Sequence, residues 1–149
     1  LAMLNGKVAM IKVGADSQVE MKEKKDRVED AIYATKAALQ EGIVAGGGVA
    51  LLDASYSIAP ENEYEQILLE AIKAPYSTIL DNAALEHYES KKRGFGIDVV
   101  NNKEVDMIKA GIIDPVLVTK TALKNAVSVV NTIFSADCVI SNVRINAGN

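Results

Sequence analysis

RVEDAIYATKAALQEGIVAGGGVALL, Arg27 to Leu52, decides how this chain is read. Its first part continues a helix begun upstream, where Asp16 or Ser17 can cap a run ending near Gln40 with Gly42 at the C′ position. Val28, Ile32, Thr35 and Leu39 recur at helical spacing and are expected to form its buried stripe. Glu20 with Lys24 and Glu23 with Arg27 sit at i,i+4 with the acid N-terminal, each pair contributing about 0.3 kcal/mol. After Gly46, Gly47 and Gly48, the stretch VALLDASYSIAP reads as a second helix, ended by Pro60.

The glycines match neither common phosphate-binding fingerprint. No Lys-Ser/Thr follows them, and no strand-to-helix context supports a dinucleotide motif. Gly47 and Gly48 would nonetheless place bare backbone at a helix start, where N–H groups favour anions. Spacing favours a plain turn and leaves a ligand contact open. Asp30 lies nearly opposite the expected stripe, on a face shared with Ala34 and Ala37 at i+4 and i+7. Asp26, at i−4, stacks a like charge on it at a cost of about 0.3 kcal/mol. A solvated charged face explains this, and so does a carboxylate that a second surface closes upon.

Outward from this stretch, Val8–Val13 reads as a short strand broken at Gly14. A third helix runs from about Glu63 to Asn82, kinked or restarted at Pro75. EHYESKKRGFG reads as a loop holding His87, IDVV as a short strand and EVDMIKAG as a helical turn. The long helix of DPVLVTKTALKNAVSVVNTIF takes Asp114 as N-cap and Pro115 at N1, and DCVISNV returns to strand, with Cys138 as a small buried hydrophobe. The expected fold class is therefore mainly α with short β-strands rather than a doubly wound sheet.

Composition narrows the classes. The 149 residues are 49% hydrophobic and 24% charged, enough for one sizeable core. A net charge of −4 gives no electrostatic reason to expect nucleic acid or an acidic membrane as partner. Cys138 is the single cysteine and His87 the single histidine, so a zinc-finger site fails on ligand count and a reducing compartment is the simpler expectation. No apolar run reaches the roughly 18 residues of a membrane span. His87, Tyr88 and Cys138 form no recognisable triad. The chain opens on LAMLNGK, without an initiator Met or signal-peptide pattern, and is expected to be a piece of something longer.

VAMIKVGADSQVEMKEKKDRVEDAIYATKAALQEGIVAGGGVALL, and later VDMIKAGIIDPVLVTKTALKNAVSVV, closely resemble in the same order the C-terminal part of the GroEL-type (group I) chaperonins. The likeness covers nearly the whole chain. It implies an incomplete chaperonin equatorial and intermediate-domain fold. Residues 1–7 would end the apical domain, 8–40 form the second segment of the intermediate domain, and 41–149 the second segment of the equatorial ATP-binding domain. It also implies a homo-oligomeric cytoplasmic ring that uses ATP and Mg²⁺, works with a lid co-chaperonin, and encloses non-native protein clients.

By the same resemblance Asp30 matches the aspartate that orients the attacking water for ATP hydrolysis, and Gly47 a glycine against the nucleotide. Asp98, Val99 and Val100 fall at the adenine side, and Asp114 matches an acid near the ribose. The family's phosphate loop and Mg²⁺-binding aspartate belong to its N-terminal half. The chain departs from the pattern where Val99 and Val100 replace smaller residues, where DNAALEHYESKKRGF is unlike the family and shortened, where NGK replaces paired glycines, and in lacking a Gly-Met-rich tail. The alternative is a non-catalytic fragment that self-associates as a scaffold or binding module. No self-contained catalytic constellation supports an unrelated small enzyme.

Overall fold

The computed structural model describes residues 9–138 and 140. Helix α1 spans Gln18–Glu41, capped by Ser17, whose hydroxyl accepts from the Glu20 N–H at 3.2 Å. Arg27 and Glu23 form the expected ion pair at 2.6 Å, whereas Lys24 donates to the Gly14 carbonyl at 3.2 Å instead of meeting Glu20. The packed side of α1 is not the expected Val28–Ile32–Thr35–Leu39 stripe. Val28 is only half-buried, Ile32 and Thr35 are exposed, and Leu39 is 83% exposed. Ala37 is buried instead, with Ala34 and Ala38 half-buried. Helix α1 lies against β4 (Ile113–Pro115) and α5 (Val116–Phe134), and close approach of backbones selects the small side chains.

Strand β1, Ile43–Ala45, pairs antiparallel with β4 in the register Ile43 with Pro115, Val44 with Asp114 and Ala45 with Ile113. Backbone bonds from Gly46 N to the Ile112 carbonyl (2.9 Å) and from Val116 N to the Gly42 carbonyl (3.1 Å) extend the joint at both ends. This ladder takes Asp114 into a strand, so it does not cap α5. Pro115, extended at φ −67° and ψ 132°, is the cap residue and supplies no side-chain bond. An ion pair between Lys120 and Glu41 at 2.5 Å fastens the end of α1 to α5.

The third expected helix is two, α3 (Glu63–Ala71) and α4 (Ala74–Asn82), and Pro75 in the first turn of α4 marks the restart. Asn62 caps α3, accepting from Glu65 N at 2.9 Å, while the Glu65 carboxylate reaches back to Glu61 N at 2.8 Å. Strands β2 (Phe95–Asp98) and β3 (Lys103–Asp106) form an antiparallel hairpin. The expected strand IDVV is thus displaced, with Val99 and Val100 in the hairpin loop, and EVDMIKAG divides into β3 and a turn closed by Ala110 N on the Asp106 carbonyl at 2.9 Å. Residues 9–13 are not a strand: a strand needs a neighbour's ladder, and none of the described residues supplies one. Cys138 is exposed, a correction to its expected burial, and most of DCVISNV lies outside the described residues.

Helix α2 (Val49–Ser57) is the centre of the core, where Ala45, Val49, Leu52, Tyr76, Leu80 and Met107 are buried together. Gly48 makes this possible. Its φ is +80°, and a Cβ there would stand 2.7 Å from Tyr76 N and 2.8 Å from Tyr76 Cα. The first turns of α2 and α4 meet backbone to backbone, as only glycine permits.

Candidate functional site

The glycine turn, α4 and the β2–β3 hairpin enclose a cavity of about 430 Å³. Gly47, Ile79, Asp98, Val99, Val100 and Ile112 are among the residues that line it. Four residues singled out in the sequence analysis therefore share one concavity. Gly47 has φ +64°, and a Cβ there would approach the Met107 methyl to 3.0 Å, so this part of the wall is bare backbone.

Tyr76 and Met107 also reach the cavity, and the sequence analysis assigned them no role. No sequence signal links them to Gly47: Tyr76 is placed by the bare-backbone contact at Gly48, and Met107 by packing against Gly47 and Gly96. The Tyr76 hydroxyl donates to the Tyr88 carbonyl at 2.6 Å, and burial raises its pKa, so the phenol is a neutral, committed wall.

Asp98 terminates β2, and its carboxylate organises the hairpin loop. One oxygen accepts from Val100 N at 3.0 Å and Asn101 N at 3.4 Å, and the other from the Asn101 amide at 2.6 Å. The Asn101 amide, followed by the backbone N–H groups, holds the Asp98 pKa below the ordinary carboxylate value. Asp106 closes the far end of the hairpin in the same manner. Lys109 N donates to it at 3.2 Å and the Lys109 ammonium lies 3.0 Å away, both lowering its pKa.

These shifts fix a pH dependence. A carboxylate whose folded pKa is depressed contributes stability that is present above its unfolded pKa and lost as pH falls through the folded one. Below about pH 4 the hairpin loses the Asp98 and Asp106 contributions in turn. Carboxyl NMR titration is expected to show both groups titrating below an exposed aspartate, with the Val100 and Asn101 amide signals following Asp98. Ordinary titration of Asp98 would contradict this arrangement.

The structure does not bring Asp30 or Asp114 into the cavity lining. Asp114 is half-buried in β4, two residues beyond Ile112 of the cavity wall. Asp30 is exposed on α1, on the face of Ala34 and Ala37 that meets β4 and α5. At about 1.5 Å per residue it stands about 18 Å along the helix from Gly42. Its side chain makes no hydrogen bond or ion pair among the described residues. A second concavity, of about 380 Å³ between Ile11, Val13 and the first turns of α1, contains none of the candidates. Among the described residues no group of three or more His, Cys, Asp or Glu side chains is placed to hold a metal ion. His87 pairs at 2.7 Å with Asp81 of α4, and both side chains are exposed and absent from the cavity lining.

Comparison with known proteins places this geometry in context. The profile of the TCP-1/cpn60 chaperonin family matches residues 2–144. Among solved structures, a group III chaperonin in the open state superimposes with a TM-score of 0.71 and 24% sequence identity. The match covers 86% of this chain and 30% of that one, so the chain spans less than a third of the protein whose fold it shares.

Proposed function

The chain belongs to the TCP-1/cpn60 chaperonin family, and from that premise we propose that it is part of an ATP-dependent ring chaperonin of group I type, contributing the hydrolysis aspartate and one wall of the nucleotide pocket. The observation supporting this most directly is the shared cavity. Gly47 is far in sequence from the consecutive Asp98, Val99 and Val100, yet all four, implied by resemblance to contact one nucleotide, line one concavity. A largely apolar cavity of about 430 Å³ with bare backbone at Gly47 suits a base and ribose.

In this reading residues 8–40 are the intermediate-domain segment and 41–149 the equatorial one. Helix α1 carries Asp30 on a lever whose base is Gly42, at φ +85° and ψ −165°, a conformation essentially reserved for glycine. Swinging α1 about that junction brings Asp30 toward the cavity. There its carboxylate accepts a hydrogen bond from a water, orients the oxygen lone pair toward the terminal phosphorus, and takes up the water's proton as the new P–O bond forms and the bond from that phosphorus to the ADP oxygen breaks. Asp114, in β4 two residues beyond Ile112 of the cavity wall, is the acid assigned to the ribose in this reading. In the resemblance, phosphate and Mg²⁺ ligation belong to the family's N-terminal half. Partners are neighbouring ring subunits, a lid co-chaperonin and non-native clients in the cytoplasm.

A second reading, a non-catalytic self-associating scaffold, is favoured by one specific feature. Helix α5 has no buried residue, and Val118, Val129, Ile133 and Phe134 are each more than half exposed. One experiment separates the two. The full-length subunit is examined by light scattering, ATP hydrolysis and ATP-dependent refolding of a denatured client. The chaperonin reading expects a ring-sized particle with turnover and refolding. A large particle without turnover or refolding supports the scaffold instead.

A further inference from the structure

Three consecutive residues of the loop between α4 and β2 are each tied to a different element. The Tyr88 carbonyl accepts from the Tyr76 hydroxyl of α4 at 2.6 Å. The Glu89 carboxylate accepts from the Tyr56 hydroxyl of α2, and the Ser90 hydroxyl donates to the Glu104 carboxylate of β3. The loop is also held at both ends. Leu85 packs on the core and donates its N–H to the Leu80 carbonyl at 3.0 Å, and Gly94 N donates to the Asp53 carboxylate of α2 at 2.7 Å. Tyr76 lines the cavity, whereas Tyr56, Glu89, Ser90 and Glu104 do not. Burial raises the Tyr76 pKa and the Ile97 N–H of β2 lowers it in part, so the phenol oxygen stands where the loop, α4 and β2 meet.

The hairpin has reason to need such ties. Its strands are four residues each, and among the described residues they pair only with one another. A two-stranded ribbon is marginal by itself, so its distance from α4 is set by what fastens it. Resting on the nucleotide reading above, we infer that residues 88–90 are a strap that holds the cavity at the width a nucleotide needs, with Tyr76 as the positioning residue that carries this hold to the cavity wall. With the strap fastened, the cavity is formed before the ligand arrives. With a tie removed, the hairpin stands away from α4 in a fraction of molecules, and a ligand binds only the remainder. That loss falls equally on the bound ground state and the transition state, so it raises KM and leaves kcat. Asp30 stands on α1, outside these ties, and the chemical step is not touched.

The test measures KM and kcat for ATP on the full-length subunit, unaltered and as Tyr76→Phe, Tyr56→Phe, Glu104→Ala and Glu104→Gln. Amide hydrogen exchange of residues 95–106 is read on the same proteins without nucleotide. Tyr76→Phe keeps the ring and removes one hydroxyl, and is expected to raise KM by about three- to tenfold with kcat changed less than about twofold. Tyr56→Phe and Glu104→Ala are expected to raise KM in the same way, although neither residue lines the cavity, and all three variants should speed exchange in the hairpin. Glu104→Gln keeps an acceptor oxygen for Ser90 and is expected to restore most of the affinity. An unchanged KM in Tyr56→Phe and Glu104→Ala, or a fall in kcat at constant KM, would overturn the strap while leaving the nucleotide site standing. If the unaltered subunit binds no ATP, the proposed function falls. The strap is then judged by exchange alone, and unchanged exchange overturns it as well.

Discussion

Asp30→Ala in the full-length subunit is expected to lower ATP turnover by about 10²–10⁴-fold while nucleotide affinity changes by less than about threefold. The asymmetry follows from where the residue stands. Asp30 is exposed on α1, outside the cavity and without a hydrogen-bonding partner among the described residues, so the ground-state complex has little to lose. Its contribution arises only when α1 closes and a water must be oriented and deprotonated. Nor is unfolding an alternative source of the loss. Alanine is the better helix former by roughly 0.6 kcal/mol at an exposed helical site, and the repulsion from Asp26 is relieved. The variant should therefore melt at or slightly above the temperature of the unaltered protein. Single-turnover hydrolysis beside equilibrium ATP binding makes the measurement, and normal turnover would refute the assignment of Asp30.

Gly48→Ala is expected to be the most damaging glycine-to-alanine change among the described residues. Two costs combine at this position. A residue with a Cβ at φ +80° pays about 1 kcal/mol for the left-handed conformation. The added carbon would also stand 2.7 Å from Tyr76 N and 2.8 Å from Tyr76 Cα. These are backbone atoms of α4 and cannot rotate away, so α2 and α4 must separate and the contacts of Val49, Tyr76 and Leu80 loosen together. The total loss is expected at roughly 3–5 kcal/mol, which lowers the melting temperature by on the order of 10 °C. Gly111→Ala is the control, since it shares a positive φ of +77° but meets nothing within 4 Å. It should cost only about 1 kcal/mol. Equal losses at the two positions, measured by calorimetry, would show that the close approach of α2 to α4 carries no weight.

Features governed by neighbouring residues were readable from the sequence. The Ser17 cap, the Glu23–Arg27 pair and the restart at Pro75 are decided within a turn or two, and all three are found where expected. Features requiring a distant partner were not. Leu39 has the spacing of a core residue, yet α1 packs through Ala37 because its neighbours are β4 and α5 at the far end of the chain. Asp114 followed by Pro115 carries a helix-start signature, but β1 claims it for a ladder. The residues of EVDM carry no strand alternation strong enough to announce β3, which is specified by pairing with β2. For the site the division is similar. The resemblance picked out Gly47, Asp98, Val99 and Val100, whereas Tyr76 and Met107 enter the cavity through packing that no local pattern encodes.

The joint between β1 and β4 has a consequence for how the chain is made. Residue 43 leaves the ribosome long before residue 115, its partner, is synthesised. Until then helix α1 and the glycine turn are present, but the base of the lever has nothing to be fastened to. Closing so distant a contact is slow, and it also brings in the Lys120–Glu41 pair and the seating of α5. In the interval β1 is an unpaired edge, and a short one of three residues offers a passing chain little to pair with. The brevity of the strand thus protects the nascent protein, and the orientation of the lever is among the last things folding decides.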